Sequence, residues 1–515
     1  MKFEELELRM EEMHSPFRIR RTTVDEAMWE ECALAIAQNH GQLVTLWASQ
    51  KGAKKFGVTA IYSVEGEGLL WLDLLLGNNG VTFPDISGLF PSATRMQRAM
   101  RDLMGIMAVG SGDNRPWLNH GFWPNDYYPL RKDASGFEVH EPEIPQDYAF
   151  VEVAGDGVHE IAVGPVHAGI IEPGHFRFSV VGEKTLRLEE RLGYAHKGVD
   201  KAFERMSALD AYRLAGRISG DSTVAYSWAY CMALESAWKW DLPERALWIR
   251  AIMLERERIA NHLGDVGAIA NDAGFAFGLT QFMRLKELWL KANKEIFGHR
   301  FMMDCVLPGG VKADISLESI AMIREQIRVF RSGVERLRAI YEDHSGLQDR
   351  FMRTGIVDNE LALRLGLTGL AGRASGVAHD VRVDSRSFPY TQLNVNVAFQ
   401  EDGDVAARVS VRFDEIADSL RLLEQILEKL PAGEIHSPWR KTQPSGAGAG
   451  WVEGWRGGIF VSLSVGKGGN VERCHVHDPS WQNWPVLEYA VIGDIVPDFP
   501  LINKSFNLTY SGHDR

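Results

Sequence analysis

The apolar positions near the start of the chain change from a helical to an extended pattern. Helical spacing near residues 24–38 is followed by three runs of β-branched and large apolar residues, each bounded by glycine or polar positions: QLVTLWAS, VTAIYSV and LLWLDLLL. A further helical run extends from Ala93 to Met107. We therefore expect residues 1–137 to form a small α+β domain.

The second part of the chain begins with strand patterns and continues with long helical ones. IAVGPVHAGI and HFRFSVVGEKTLRL predict strands around a loop, and helical spacing recurs over 207–240, 243–270, 280–300, 315–344 and 412–430. GGIFVSLSV, the turn GKGGN and VERCHVHD predict a β-hairpin. SGAGAG at 445–450 precedes a strand rather than a helix, so we interpret it as a flexible connector and not as a dinucleotide site. Residues 151–515 are thus predicted to be mostly α-helical with flanking β-hairpins.

The segment between these two parts has a different composition. Residues 138–150, EVHEPEIPQDYAF, are acidic, contain two prolines and lack periodicity. We interpret them as a linker.

Charge and cysteine content narrow the classes of function. The formal net charge of −13 argues against nucleic-acid binding, which needs clustered Lys and Arg. The longest apolar run, Leu69 to Leu76, is too short to cross a membrane, so any membrane link is expected through a partner. The four cysteines lie far apart and form no CxxC motif that would indicate a zinc or iron–sulfur site: Cys32, Cys231, Cys305 and Cys474.

Two polar groups open the second part. His167, Glu172 and His175 lie in one loop or strand pair, where they could bind a metal ion or move protons, the alternative being structural histidines. In LGYAHKGVDKAFE, Gly198 permits a left-handed turn that would present His196 on a loop. The alternative for this group is a helix start with solvated charges.

Three further groups lie on predicted helices and on the last strand. Ser219, Asp221 and Ser222 cluster just before a helix, where Ser222 could be the N-cap, and the absence of GxSxG gives no case for a hydrolase. In the second group, helical spacing puts Arg258, His262 and Asp265 on one face of a helix. That face lines either a polar cavity or the protein surface. In the third, CHVHD at 474–478, the two histidines share one strand face, as part of a metal site or of a polar strand at a subunit surface.

Taken in order, these segments resemble a known family. The second part resembles both the large subunit of membrane-bound nickel–iron hydrogenases, including the formate hydrogenlyase type, and the 49 kDa-type subunit of complex I. The resemblance rests on GPVH at 164–167, GYAHKG at 193–198, the run 255–274, LPGGV at 307–311, DVR at 380–382, EGWRG at 453–457 and the tail DFPLINKSFNLTYSGHDR. FPSATRMQRAMRDLMGI and YYPLRKD in the first part resemble the 30 kDa-type subunit of complex I.

The chain departs from the hydrogenase pattern at the metal ligands. Hydrogenases of this kind bind nickel and iron through two cysteine pairs, in R-x-C-G-x-C and D-P-C-x-x-C. The resemblance places Ser219 and Ser222 at the first pair and Thr509 and Gly512 at the second. Because soft thiolates hold these metals and hydroxyl groups do not replace them, we expect no metal at these vestigial positions.

The chain also departs from the complex I pattern. Aligned on the motifs, the two usual quinone-binding positions are occupied by Ile171 and Gly220. The resemblance still implies a polar cavity beside the lost metal position, and we expect its candidate lining residues to be His167, His196, Arg217, Asp221, Tyr226 and His513. Its ligand is left open.

The resemblance implies a subunit of a hydrogenase-related, complex I-like oxidoreductase that couples electron transfer to ion translocation. Expected partners are an iron–sulfur small subunit, membrane-embedded pumping-type subunits and, as a further candidate, a formate dehydrogenase-like module. No cofactor is expected on this chain, and the location implied is cytoplasmic, peripheral to the inner face of the cell membrane. A non-catalytic scaffold and a hydrogenase with unusual ligands are the alternatives.

Overall fold

The N-terminal part folds as a five-stranded sheet with two helices, and its apolar pattern predicts both helices and three of the five strands. The computed structural model describes residues 2–515 except 53, 54, 78, 79, 142–147, 168, 170, 440 and 441. The elements of this part are β1 (Glu11–Glu12), β2 (Ile19–Val24), α1 (Glu26–Gln38), β3 (Gln42–Gln50), β4 (Phe56–Val64), β5 (Gly68–Leu75), β6 (Thr82–Pro84), α2 (Ala93–Met104) and β7 (Met107–Val109). The sheet order is β1-β2-β5-β4-β3, with β2 and β5 parallel and the other neighbours antiparallel.

The second part combines two three-stranded sheets with long helices. It begins with β8 (Val158–Val163), β9 (His175–Val181), β10 (Lys184–Arg191), α3 (Val199–Phe203), α4 (Tyr212–Ala215), α5 (Thr223–Trp238), α6 (Glu244–Asp272), α7 (Ala276–Phe297), β11 (Val306–Leu307), β12 (Gly310–Val311) and α8 (Leu317–Asp343). It continues with α9 (Ser345–Phe351), α10 (Asn359–Leu365), α11 (Gly369–Arg373), α12 (Val381–Asp384), α13 (Val405–Lys429), β13 (Gly446–Glu453), β14 (Gly458–Val465), β15 (Val471–His477), α14 (Ser480–Ala490), α15 (Phe499–Phe506) and α16 (Tyr510–Asp514).

The predicted helical stretch at 207–240 is divided in two. Helix α4 ends at Ala215 and α5 begins at Thr223, with a short 3₁₀ turn over Gly220–Ser222 between them. Gly216 has no room for a side chain, because a Cβ there would lie 2.6 Å from the hydroxyl of Ser227 on α5. The polar residues 219–222 therefore form a separate turn at the start of α5.

Residues 445–450 are not the flexible connector that the sequence suggested, because Gly446–Glu453 is strand β13. The glycines permit a very close approach of this strand to helix α5. A Cβ on Gly448 would lie 2.1 Å from the carbonyl oxygen of Ala233, and one on Gly450 would lie 1.9 Å from that of Ala229. Only glycine fits where two backbones come this close.

The two parts share one continuous buried core. The histidines of β15 face this junction and not an outer subunit surface, which corrects that alternative. His475 hydrogen-bonds through Nε2 to the hydroxyl of Thr45 on β3 at 2.8 Å and stacks on Trp47, with the ring centres 4.6 Å apart. His477 is buried beside Gln482. The bounds 1–137 and 151–515 stay predictions, and residues 142–147 of the predicted linker lie outside the described residues.

Helix α6 lies at the centre of the second part, packed against α7 and α13. It buries charged as well as apolar side chains. Across the described residues, no helix combines the length and the apolar character that a bilayer crossing requires.

Candidate functional site

Three segments that are distant in sequence meet at the start of helix α5. They are the turn 219–222, the turn between β13 and β14, and the C-terminal segment 507–514, which ends in the short helix α16. The side chain of Thr509 caps α16 by accepting a hydrogen bond from the backbone N–H of Gly512 at 3.0 Å. This cap turns the Thr509 hydroxyl towards the turn 219–222.

The two segments are joined by a direct hydrogen bond between hydroxyl groups. Thr509 donates through Oγ1 to Oγ of Ser219 at 3.1 Å. Ser219 and Ser222 in turn donate to Oδ1 of Asp221 at 2.8 and 3.2 Å. We call Ser219, Asp221, Ser222, Thr509 and Arg456 the hydroxyl cluster.

Arg456 supplies the positive charge of the hydroxyl cluster. Its guanidinium donates to both carboxylate oxygens of Asp221, at 2.9 and 2.6 Å, and through Nε to the carbonyl of Asn507 at 2.6 Å. Burial alone would raise the pKa of Asp221, but the Arg456 guanidinium outweighs it and lowers that pKa to about 2. Asp221 is therefore ionised at neutral pH, and the cluster is charge-balanced. The sequence reasoning missed Arg456 as a site residue, although the motif EGWRG contains it.

The space beside Gly512 is filled by Tyr226. A Cβ on Gly512 would lie 2.6 Å from the Tyr226 hydroxyl and 2.4 Å from Cγ2 of Thr509. The Tyr226 hydroxyl is held there by a hydrogen bond to Oδ2 of Asp478, which the sequence analysis considered only as part of the CHVHD group. A side chain at position 512 has no room unless Tyr226 moves.

The residues at the four cysteine positions do not fit a nickel–iron centre. Two serine hydroxyls and one threonine hydroxyl are engaged with each other or with Asp221, and the fourth position offers no side chain. Soft, low-valent metals require thiolate ligands. Within the described ranges, no group of three His, Cys, Asp or Glu side chains has the arrangement of a metal site.

The structure brings together only part of the predicted cavity lining. Asp221 lies in the hydroxyl cluster and Tyr226 beside it. His167 and His196 contact the C-terminal segment at other points, and His513 is part of that segment. The ring of His167 lies near Tyr510, with ring centres 6.2 Å apart, and Nδ1 of His196 lies 2.8 Å from the carbonyl of Asp514. His513 is buried against Trp481.

Arg217 points away from the hydroxyl cluster. It donates two hydrogen bonds of 2.7 Å to the carboxylate of Asp304 at the protein surface. Ile171, at one of the former quinone positions, is also exposed. We therefore leave Arg217 out of the candidate site.

A small cavity with room for about one water molecule lies behind Asp221. Glu257 on α6 lines it and accepts hydrogen bonds from the backbone N–H groups of Val224 and Ala225, at 2.7 and 3.1 Å. Burial raises the pKa of Glu257 to about 8. Lys286 lines the same cavity, and burial lowers its pKa. This arrangement can hold and release a proton near neutral pH. The sequence reasoning missed Glu257 as a site residue, although the run 255–274 contains it.

Comparison with known proteins gives a consistent set of similarities. Residues 22–138 match the family model of the respiratory-chain NADH dehydrogenase 30 kDa subunit, and residues 272–447 match that of the 49 kDa subunit. Formate hydrogenlyase subunit 5 of Escherichia coli is 31% identical over 89% of this chain and 82% of its own length. Hydrogenase-4 component G of the same organism is 30% identical over 98% of this chain and 89% of its own length.

Similarity extends to solved structures. A chain of the membrane-bound sulfane sulfur reductase, an archaeal respiratory membrane complex, superimposes with a TM-score of 0.66 at 25% identity. The match covers 71% of this chain and 100% of that chain.

Proposed function

We propose that this chain, which belongs to the family of formate hydrogenlyase subunit 5 and hydrogenase-4 component G, acts in electron transfer coupled to ion translocation and does so without a nickel–iron centre. The coarser part of this statement follows from the family. The chain is a subunit of a complex I-like, hydrogenase-related oxidoreductase complex. The coupling and the missing metal are the proposal.

The observation that carries the proposal is the closure of the metal position. The Thr509–Ser219 hydrogen bond joins the two segments that bear the cysteine pairs in hydrogenases, and Tyr226 occupies the space of a side chain at position 512. The hydroxyl groups of Thr509 and Ser219, 3.1 Å apart, hydrogen-bond to each other, so they are not free to bind a metal ion. We therefore assign proton transfer and electrostatic effects, rather than metal chemistry, to this position.

The residues that remain support a role in proton handling. A buried carboxyl group whose pKa is raised to about 8 can gain and lose a proton under physiological conditions, and Glu257 lies next to the ionised Asp221. Arg456 keeps Asp221 charged and fixes its orientation. We assign Glu257 to proton transfer and Asp221 with Arg456 to the electrostatic field in which it occurs.

The family also suggests the partners. We propose an iron–sulfur small subunit as the electron carrier and membrane-embedded subunits of the pumping type, with a formate dehydrogenase-like module as a candidate donor. These partners would hold the chain at the inner, cytoplasmic face of the cell membrane. No nucleic acid and no cofactor resident on this chain belong to the proposal.

The test uses the purified native complex with reduced methyl viologen as the electron donor and an added electron acceptor that supports turnover by wild type, either a water-soluble quinone or elemental sulfur. We expect Glu257→Gln to lower the rate of viologen oxidation by about tenfold or more, which corresponds to roughly 1.4 kcal/mol of barrier. Asp221→Asn and His196→Ala test the neighbouring groups in the same assay. The matched control is Glu287→Gln, which removes an exposed carboxylate of α7 that pairs with Arg300 and should leave the rate unchanged.

The scaffold alternative gives a different result. If the complex assembles normally and all three variants stay within about twofold of the wild-type rate, less than roughly 0.5 kcal/mol of barrier is involved and the chain is a structural subunit. Hydrogen uptake by the wild-type complex would instead support a hydrogenase with unusual ligands.

A further inference from the structure

A second buried polar region lies on the other side of the turn that carries Arg456. Helix α6 contributes Glu255 and Arg258 to it, and helix α13 contributes Glu415. All members are at most 3% exposed. We call the following set the ion network: Glu255, Arg258, His262, Arg373, Asp380, Arg382, Glu415 and Glu453.

The carboxylates of the ion network outnumber its guanidinium groups. Four carboxyl groups face three arginines, and the next buried arginine, Arg412, is paired with Asp265, so the network as defined carries one negative charge too many unless it also holds a proton. An unbalanced buried charge is costly, and a protein usually removes it by protonation. The question is which group holds the proton.

His262 does not hold it. Its Nε2 lies 2.7 Å from Oε2 of Glu415, and because an ionised carboxylate only accepts, Nε2–H is the donor. Nδ1 is buried without a hydrogen-bond partner among the described residues, so a second proton there would be unpaired. Burial lowers the pKa of His262, in agreement with this geometry.

Three of the four carboxyl groups are strongly neutralised. Glu255 accepts from Tyr390 and Ser419 at 2.6 Å and pairs with Arg382. Glu415 accepts hydrogen bonds from His262 and from Nε of Arg373, and Nη2 of Arg373 lies 2.7 Å from the same carboxylate. Arg382 donates to Asp380 through its backbone N–H and through two nitrogens of its guanidinium group. Burial raises the pKa of each, but the arginines outweigh it and lower all three pKa values.

Glu453 has the weakest partners. Oε1 shares one nitrogen of Arg373 at 2.9 Å, and Oε2 accepts only the backbone N–H of Val381 at 3.1 Å. Burial raises the pKa of Glu453, and the negative charge of Asp380 raises it further. Glu453 is therefore where the excess proton belongs.

A route to the surface begins beside Glu453. Nε2 of His379 lies 3.4 Å from Oδ2 of Asp384, and these side chains are 24% and 36% exposed. Asp384 accepts a hydrogen bond from the backbone N–H of Asp380, and the carbonyl of His379 accepts one from Arg373. This surface pair is thus joined to the network by hydrogen bonds that involve the backbone, and His379 lies within electrostatic range of Glu453.

We propose that Glu453 is a proton-binding site, which holds one proton in the resting protein and exchanges it with the surface through His379 and Asp384. The inference goes beyond the proposed function and does not depend on it. The titratable and charged groups that face this site come from α6, α11, the α12 segment, α13 and the N-terminal part: Glu255, Arg258, His262, Arg373, His379, Asp380, Arg382, Asp384, Glu415, Asp418 and Glu65.

The test is infrared spectroscopy of the native complex during a pH titration. Beside the bands of other protonated carboxyls such as Glu257, we expect wild type to show one further carbonyl-stretching band at neutral pH, shifted in D₂O and lost at alkaline pH, which belongs to Glu453. Glu453→Gln should assemble normally, because a neutral amide resembles the protonated acid, and should lack this band. Glu424→Gln is the matched control, since it removes an exposed carboxylate of α13 and should keep the band.

Two results would overturn the proposal. One is that this further band persists in Glu453→Gln or is absent from wild type. The other is failure of Glu453→Gln to assemble, because the site would then need a charged side chain. For the route, His379→Gln and Asp384→Asn should keep the band at equilibrium and slow its appearance after a pH jump at least about tenfold. An unchanged rate would exclude this route.

The pH dependence of stability gives a second readout. Because the pKa of Glu453 is raised in the folded protein, its stabilising contribution is present at low pH and is lost as pH rises through the folded pKa. Glu453→Gln should therefore match wild type at low pH and show the higher thermal midpoint at alkaline pH. Equal midpoints at every pH would contradict a raised pKa.

Discussion

The hydroxyl cluster and the ion network lie at the two ends of one short turn and are built on different principles. Glu453, which ends β13, belongs to the ion network, and Arg456, three residues later, belongs to the hydroxyl cluster. The cluster has one ion pair among neutral hydroxyl groups, whereas the network consists almost entirely of buried charges. The comparison shows a cluster of mostly neutral groups where the resemblance places the metal ligands, directly beside a framework of buried charges.

The largest expected effect is on the network. Glu415→Gln removes the carboxylate that pairs with Arg373 and accepts from His262, so the buried guanidinium loses its main counter-charge. Breaking such a buried pair costs about 3–5 kcal/mol. We expect a large drop in the thermal midpoint of this subunit, or loss of assembly. Glu424→Gln on the same helix, whose pair with Arg331 is 40% exposed on both sides, should change stability by less than about 1 kcal/mol. Equal losses of stability in the two variants would show that the ion network contributes no more than a surface ion pair.

A smaller effect is expected where the cluster is sterically closed. Gly512→Ala places a Cβ against Tyr226 and Thr509, and overpacking of this kind costs about 1–3 kcal/mol. Tyr226→Phe removes the hydroxyl that is in the way, so Gly512→Ala should cost less in that background. A double-mutant cycle on the thermal midpoint measures the coupling. Strict additivity would mean that Tyr226 does not close the space.

Removing the Asp221–Arg456 ion pair of the hydroxyl cluster should cost less stability than breaking the ion network, and this cost should depend on pH. Asp221 is 38% exposed, so we expect Asp221→Asn to cost only about 1 kcal/mol at neutral pH. The pKa of Asp221 is lowered to about 2, so its contribution is present above the unfolded value near 4 and is lost as pH falls towards 2. The difference between wild type and variant should therefore shrink between pH 5 and pH 2. A constant difference over this range would show that charge is not its cause.

The smallest expected effect is that of a single hydroxyl. Ser219→Ala removes the acceptor of the Thr509 hydroxyl and a donor to Asp221, at a cost of about 0.5–1.5 kcal/mol. Ser319→Ala, which removes an exposed hydroxyl of α8, is the reference for a side chain outside the cluster. If Ser219→Ala were as costly as Glu415→Gln, the cluster would have to be treated as a second tightly coupled network.

The sequence predicted most elements but not the closure of the site. Apolar periodicity identified β3, β4 and β5 of the N-terminal sheet and the helices α6, α7 and α8, because local patterns decide them, but it missed β1 and β2. Strand β13 was missed, since its glycines reflect contact with a helix about 200 residues away in sequence. The lost cysteines were visible as Ser219, Ser222, Thr509 and Gly512, whereas Tyr226 filling the space at Gly512 depends on a long-range contact.

The burial of charges was also beyond the sequence. Helical spacing put Arg258 and His262 on one face of α6, but it left open whether that face was a surface or an interior. Their partners come from α13, so only the packing of the two helices reveals the ion network. The same holds for Glu257, whose raised pKa results from burial against the start of α5.

The central claim, that the former metal position is closed, is tested most directly by elemental analysis of the purified native complex. Nickel should be measured against the amount of this subunit, since iron is expected in the iron–sulfur partner. We predict a nickel content far below one atom per chain, unchanged when the cells grow with added nickel. A content near one nickel per chain, lost in Ser219→Ala or Thr509→Ala, would contradict the account.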